Sequence, residues 1–220
     1  MNRKIKDINS CKICSNTTEE LYDQQLKVTY DVCHKCGFIS KQDSFVLSQE
    51  EELVRYKNHK NDNEDNTGYI NMFKNLIDLH VKPLKTVKSI LDFGSGPYPM
   101  LQKLLKREGY DVAIYDPFFN KELDYQNNKY DLITTTEAIE HFKNPIKEIE
   151  HLLSLLNDNG YLLIMTNFRT MDLDSFSKWW YRRDPTHISF FNEDTFKYLE
   201  KHYGLKEVSN NHKNIITLQK

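Results

Sequence analysis

Ser89-Ile-Leu-Asp-Phe-Gly-Ser-Gly-Pro97, followed by Ala113-Ile-Tyr-Asp116, decides the fold of this chain. It reads as an apolar strand, a glycine turn, a helix, a second strand and an acid at that strand's end. Gly94 and Gly96 are two of only seven glycines in 220 residues. Glycines after a buried strand permit a tight turn and let backbone approach a ligand closely. Asp116 lies 22 residues beyond Gly94, where one strand-helix-strand unit places an acid for ribose hydroxyls. Such a unit binds an adenosine-containing cofactor in the crevice at the strand C-termini.

The turn itself narrows the cofactor. A dinucleotide site uses G-x-G-x-x-G to seat a pyrophosphate on the helix N-terminus. Here Pro99 takes the third glycine position, and Asp92 puts negative charge beside the turn. That charge disfavours a pyrophosphate and suits the ammonium group of a methionine moiety. An ordinary turn in another doubly wound domain is the rival reading. The segment resembles motif I of class I S-adenosylmethionine (SAM) methyltransferases. The resemblance implies that Asp92, Gly94, Ser95 and Gly96 seat the methionine end. It also implies that Pro117 and Phe118 flank the adenine and that Thr136 lines the methyl channel.

Around this unit the chain alternates strand and helix. Strands are expected near 88–93, 111–116, 130–136 and 161–166, with helices near 98–108 and 145–157. A turn is expected at 157–160, a helix capped by Asn192, and a closing antiparallel pair over 205–219. Alternation of this kind predicts an α/β fold: a mostly parallel sheet with helices on both faces. Only residues 117–129 separate the second strand from the next clear one, so that sheet edge is shortened.

All four cysteines fall in the first 36 residues, as Cys11-x2-Cys14 and Cys33-x2-Cys36. Each pair can put two thiolates on one metal, and two pairs complete a tetrahedral four-cysteine zinc site. The segment Leu21–Val32 between them reads as a hairpin. Together these predict a zinc ribbon of structural role, since four thiolates leave no open coordination position. Two disulfides are the alternative, disfavoured where no secretory signal is read. The polar start Met1–Lys6 shows no such signal, and no apolar run approaches the ~20 residues of a membrane span. A cytoplasmic location is expected. A net charge of −2 gives no overall drive towards nucleic acid.

The expected domains are a ribbon over 1–47, a helical connector over 48–86 and the cofactor-binding domain over 87–220. Ser48 and Glu51 form a capping-box pattern that starts a helix. The polar run 58–67 is a solvated linker or a lid, with Tyr56, His59 or Tyr69 reaching inward.

A second constellation follows the 130–136 strand. Glu137, Glu140 and His141 share a face at i, i+3, i+4 if they open a helical turn. Two carboxylates and an imidazole at the crevice are a divalent-cation site or a polar surface turn. In Tyr181-Arg-Arg-Asp-Pro-Thr-His187, His187 is a candidate fourth ligand, or a core or capping histidine. Asp184 is its partner or a base.

These two segments, over about residues 88–204, resemble ubiquinone-biosynthesis O-methyltransferases and small-RNA 2′-O-methyltransferases. In those families the two Glu and the His bind a divalent cation, and in the RNA enzymes a further His completes the site. Carried over, the ligands are Glu137, Glu140, His141 and His187, with Mg2+ or another divalent cation. The whole chain resembles a bacterial group of small methyltransferases with an N-terminal zinc ribbon. The implied reaction is methyl transfer from SAM to a hydroxyl, with Glu137, His187 and Asp184 as catalytic residues. The acceptor is a small catechol-like or sugar-like molecule, favoured by Trp179, Trp180, Tyr181, Phe190 and Phe191, or RNA, for which Arg182-Arg183 give weak support. Neither membrane nor DNA is expected as a partner. A zinc-ribbon binding module on an inactive fold is the rival of a different class.

Overall fold

The computed structural model describes residues 9–58, 67–170 and 172–220. The polar start Met1–Lys6 and the lid candidate His59 lie outside the described residues. Among the described residues no helix is long and apolar enough to cross a membrane.

The central sheet has six strands. They are β4 (Ser89–Phe93), β5 (Asp111–Tyr115), β6 (Tyr130–Thr136), β7 (Leu156–Met165), β9 (Lys206–Asn210) and β10 (Ile215–Gln219). Their order is β5-β4-β6-β7-β10-β9, parallel from β5 to β7, with β10 antiparallel to both β7 and β9. Side chains alternate across the strands. Leu91 and Phe93 of β4, Ile133 of β6, Leu162 and Ile164 of β7, and Ile216 and Leu218 of β10 face one core. There they meet α4 (Pro145–Leu155) through Ile149, Leu152 and Leu153, and α6 (Glu193–Tyr203) through Phe196 and Leu199. Ile90, Leu132, Leu163 and Met165 face the opposite core, against α2 (Thr67–Leu76) and α3 (Met100–Arg107). Each large apolar side chain so buried contributes about 1.5–3 kcal/mol.

The β5 edge is short, as the sequence implies. Between β5 and β6 lie a bridge from Asp116 to Asn120 and a 3-10 turn over Asp124–Asn127. Tyr125 of that turn stacks on Tyr115 at 4.6 Å and meets Phe93 edge-on at 6.0 Å. An aromatic plug thus closes the edge. The turn expected at 157–160 is instead absorbed into β7 as an irregularity, where pairing jumps from Tyr130–Leu156 to Leu132–Tyr161. Asn159 takes φ of 60° there, and Asn157 donates to Asp131 at 2.8 Å. Asn is well suited to that left-handed position.

A second sheet holds β1 (Glu19–Asp23), β2 (Val28–Val32), β3 (Ile39–Lys41) and β8 (Ser189–Phe190), all antiparallel. Its fourth strand comes from far along the chain, well beyond residue 47. Gly37, at φ of +73°, follows the second cysteine knuckle. A Cβ there would lie 2.5 Å from the Asn192 side chain, so glycine lets the start of α6 meet the knuckle. Asn192 accepts from the Thr195 amide at 3.0 Å and caps α6 as expected. Further α-helices among the described residues are α1 (Gln49–Asn58), started by the Ser48–Glu51 capping box, and α5 (Leu173–Lys178).

Candidate active site

The strands β4, β5 and β6 end at one cavity of about 600 Å³. That volume lies in the usual range for ligand sites, about 300–1,000 Å³. Asp92, Gly94, Ser95, Gly96, Asp116, Pro117, Phe118, Thr136, Glu137, Glu140, His141, Asp184 and His187 all line it. The residues singled out by spacing and by resemblance thus share one cavity with others, such as Phe119 and Tyr181, that were given no role there.

At the cofactor end, Gly94 has φ of +86°, and a Cβ on it would stand 2.4 Å from the Ala138 Cβ. Only glycine fits both the conformation and the approach. The Gly94 and Ser95 amides donate to the Tyr115 carbonyl at 2.8 and 3.1 Å. Asp116 is 7% exposed, and its carboxylate accepts from the amides of Gly96, Phe118 and Phe119 at 2.9–3.0 Å. It therefore shapes the loop as well as facing the cavity. Asp92 is buried and accepts from Thr134 Oγ1 at 3.1 Å. Burial pushes its carboxyl up to about 7, with Asp116 adding to the rise and the Thr134 bond opposing it. A cationic group in the cavity would favour its ionised form.

The other end differs from its expected geometry. Residues 137–141 do not form one helical face. Glu137 sits at φ of 48°, and only Ile139–His141 make a 3-10 turn. One ligand atom each from Glu140, His141 and His187 come within 4.8 Å of one another, and Glu137 falls outside that set. Glu140 is fully buried. Its Oε1 accepts from the Tyr181 hydroxyl at 2.5 Å, and its Oε2 has no hydrogen-bond partner. The same hydroxyl stands 3.1 Å from Glu137 Oε2 and 3.2 Å from Thr166 Oγ1. One phenolic proton thus serves two carboxylates. Burial and their mutual repulsion raise the affinity of Glu137 for a proton, and burial does the same at Glu140.

Both imidazoles are oriented by backbone. His187 Nδ1 bonds the Tyr181 carbonyl at 2.7 Å, and His141 Nδ1 bonds the Thr186 carbonyl at 2.9 Å. A carbonyl only accepts, so Nδ1 carries the proton and Nε2 the lone pair. Burial and the neighbouring His141 push His187 down to about 4, so it is neutral at pH 7. Two imidazoles, each fixed through its far nitrogen, and a buried carboxylate with an orphaned oxygen make a donor set that fits a divalent cation. Imidazole-rich sets favour transition metals, whereas Mg2+ prefers oxygen ligands and water.

Asp184 accepts from the Thr186 amide at 3.0 Å and its hydroxyl at 2.6 Å, and pairs with Arg55 of α1 at 3.1 Å. Burial opposes its charge, but the Thr186 and Arg55 bonds outweigh it and hold the carboxyl well below the usual range. That suits the partner role of the two expected for it, since such a carboxylate is a weak base. Of the inward-reaching candidates, Tyr56 and Tyr69 line the cavity. Tyr56 packs on Phe118 at 5.3 Å and on His141 at 5.5 Å, joining the two ends. The bridging role of Tyr181 is the feature sequence reasoning missed. Its only sequence signal was a place in an aromatic cluster.

Two further expectations need correction. Trp179, Phe190 and Phe191 pack into the cores, and only Trp180 and Tyr181 of that aromatic group reach the cavity. Arg182, read with Arg183 as weak support for an RNA acceptor, is buried. It is 1% exposed, with Nε 3.3 Å from Asp23 Oδ2.

The cysteines meet as the spacing implies. All four sulfurs lie within 4.8 Å of one another, with Cys11–Cys36 at 3.6 Å and Cys14–Cys33 at 3.4 Å. Tetrahedral zinc at about 2.3 Å from each sulfur would space them about 3.8 Å apart, so the donor set suits that ion.

A methyltransferase-domain profile matches residues 69–210, more than half of the chain. The chain belongs to the methyltransferase-domain family. Residues 69–210, which line most of the crevice, are thus a methyltransferase domain. Among solved structures, it is similar to an O-methyltransferase family protein from Burkholderia thailandensis, at 14% identity and a TM-score of 0.50. That match covers 69% of this chain and 57% of the other, so this methyltransferase spans little more than half of that protein. It is also similar to a SAM-dependent methyltransferase from Archaeoglobus fulgidus, at 17% identity and a TM-score of 0.50, covering 69% of this chain and 94% of that one. At such identities the likeness is one of fold. No curated protein matches the chain.

Proposed function

We propose that this methyltransferase transfers the SAM methyl group to a hydroxyl of a small-molecule acceptor, assisted by a divalent cation held by Glu140, His141 and His187. The observation that carries the reading is the fully buried Glu140, whose Oε2 lacks a partner beside two pre-oriented imidazoles. A buried carboxylate left unpaired is costly, and a cation relieves that cost. Bound there, the cation supplies positive charge that lowers the pKa of an acceptor hydroxyl.

The chain's own residues do the rest. Asp92 faces the ammonium, and Gly94, Ser95 and Gly96 seat the methionine end. Asp116 accepts from the ribose hydroxyls, Pro117 and Phe118 flank the adenine, and Thr136 lines the methyl path. Glu137, across the Tyr181 hydroxyl from Glu140, takes the acceptor proton as the methyl group leaves the sulfonium for the oxygen. His187 and Asp184 hold the acceptor end in place. Catalysis is then positioning plus deprotonation. A small acceptor is favoured because the cavity is compact and Arg182 points inward. We assign the cysteine cluster to one structural zinc.

Asp116→Ala is expected to weaken SAM binding about tenfold or more, because it removes a charged acceptor and unties three loop amides. Calorimetric titration measures this, and unchanged affinity removes the ribose assignment. The cation is tested by turnover on a panel of catechols, sugars and short oligoribonucleotides after mild chelation. Activity should fall while one zinc per chain is retained, and Mn2+ should restore it. Full activity in zinc-retaining, otherwise metal-free protein rejects a catalytic cation.

A further inference from the structure

Tyr181 and His187 sit on a stretch with little regular structure of its own, a 3-10 turn over Trp180–Arg183 and the two-residue β8. Part of what holds that stretch comes from the N-terminal module. The Arg182 side chain is buried, with Nε 3.3 Å from the likewise buried Asp23 Oδ2. Arg182 also donates to Gln25 Oε1 at 2.9 Å and to the Ser177 carbonyl. The other Asp23 oxygen accepts the Gln25 and Leu26 amides at 2.9 and 3.0 Å, closing the β1–β2 hairpin. Asp23 therefore ties the hairpin turn to the residue next to Tyr181.

A second tie lies further along. Lys41 is buried, and its Nζ donates to the Pro185 carbonyl at 2.8 Å. The Lys41 amide donates to the Ile188 carbonyl at 2.9 Å, and β3 pairs with β8 directly after. On the far side, the Ile188 amide donates to the Glu140 carbonyl at 2.9 Å, and Ser189 Oγ donates to the Phe142 carbonyl at 2.8 Å. The segment is clamped between the cysteine module and the turn that carries Glu140 and His141.

We infer that the cysteine module is a working part of the acceptor site: Asp23 and Lys41 are positioning residues that, with Arg182, hold Tyr181 and His187 against Glu140. The inference rests on the cation site proposed above. Its logic is that of partners behind a metal ligand. The Tyr181 carbonyl fixes the His187 tautomer, and Arg182 and Asp23 fix Tyr181. Without the Asp23 charge, the buried guanidinium has no counter-ion and the 3-10 turn shifts to hydrate it.

The test uses the full chain with zinc counted, as Asp23→Asn and, keeping side-chain volume, Lys41→Met. Three quantities are read: Mn2+ affinity by electron paramagnetic resonance, the ring 15N shifts of His187, and SAM affinity by calorimetry. Expected is Mn2+ binding weakened about tenfold or more, as for partners behind a metal ligand. The His187 ring should leave its Nδ1–H form, with zinc content and SAM affinity unchanged. Wild-type Mn2+ affinity and wild-type ring shifts in both folded, zinc-loaded variants overturn the inference. If the wild-type protein binds no Mn2+, the cation reading fails, and the His187 ring shifts, which need no cation, alone decide the positioning role. If Asp23→Asn does not fold, Lys41→Met decides it.

Discussion

Glu140→Ala and His187→Ala are each expected to lower turnover by about a hundredfold to ten-thousandfold, the range for losing assistance to proton transfer. Glu140 has no exposure to solvent and meets the Tyr181 hydroxyl at 2.5 Å, so its loss removes a ligand and frees that donor together. His187 contributes a neutral imidazole already aimed through the Tyr181 carbonyl. Neither change touches the glycine turn or Asp116, so SAM affinity should hold within about twofold. Turnover assays beside calorimetric SAM titration separate the two effects. Turnover within a few-fold of wild type, with SAM binding intact, would sink the cation-assisted mechanism. Glu140→Gln adds a control of shape. It keeps an acceptor for Tyr181 but removes the charge, and should be nearly as damaging.

Cys36→Ser is expected to abolish tight zinc binding and lower thermal stability of the whole protein. Apparent folding free energies from structural zinc run to about 10–16 kcal/mol in small peptides. Here the loss spreads beyond the knuckle. Cys11, Cys14, Cys33 and Cys36 share one apolar cluster with Phe191, Phe196 and Leu199 of the α/β core. The Cys36 carbonyl accepts from Thr195 Oγ1 at 3.0 Å, and the Gly37 carbonyl accepts from the buried Arg169 at 2.9 Å. A collapsed knuckle would take that acceptor from the buried Arg169 guanidinium, at about 1–3 kcal/mol. Elemental analysis and scanning calorimetry read the outcome. Wild-type protein without zinc, or a serine variant with an unchanged melting temperature, would end the structural-zinc assignment.

Much of this molecule was legible in the chain because its signals are local. The Gly94-Ser95-Gly96 turn is set by backbone sterics, and Asp116 follows from the length of one strand-helix-strand unit. The capping box at Ser48 and the cap at Asn192 are contacts between near neighbours in sequence. The cysteine spacing needed only two tight turns and a hairpin. The short β5 edge followed from counting residues.

What the sequence could not place are features made by residues distant along the chain. The i, i+3, i+4 rule put Glu137 with Glu140 and His141, but it assumes a helix. The left-handed Glu137 and the one-turn 3-10 segment moved it out of the ligand set. Arg182 beside Arg183 reads as surface charge until Asp23, 159 positions earlier, is brought to within 3.3 Å of it. The Tyr181 hydroxyl became the shared donor of two carboxylates only when the 3-10 turn settled on the end of β6. By itself, then, the sequence determined the strand-turn-helix unit and the cysteine cluster, because turn sterics and strand-helix periodicity act over a few residues, while the family followed from resemblance. The tertiary structure alone decided which acids and imidazoles converge, and that the N-terminal sheet takes β8 as its fourth strand. Buried polar groups must find partners wherever packing brings them, and one-dimensional spacing does not encode that.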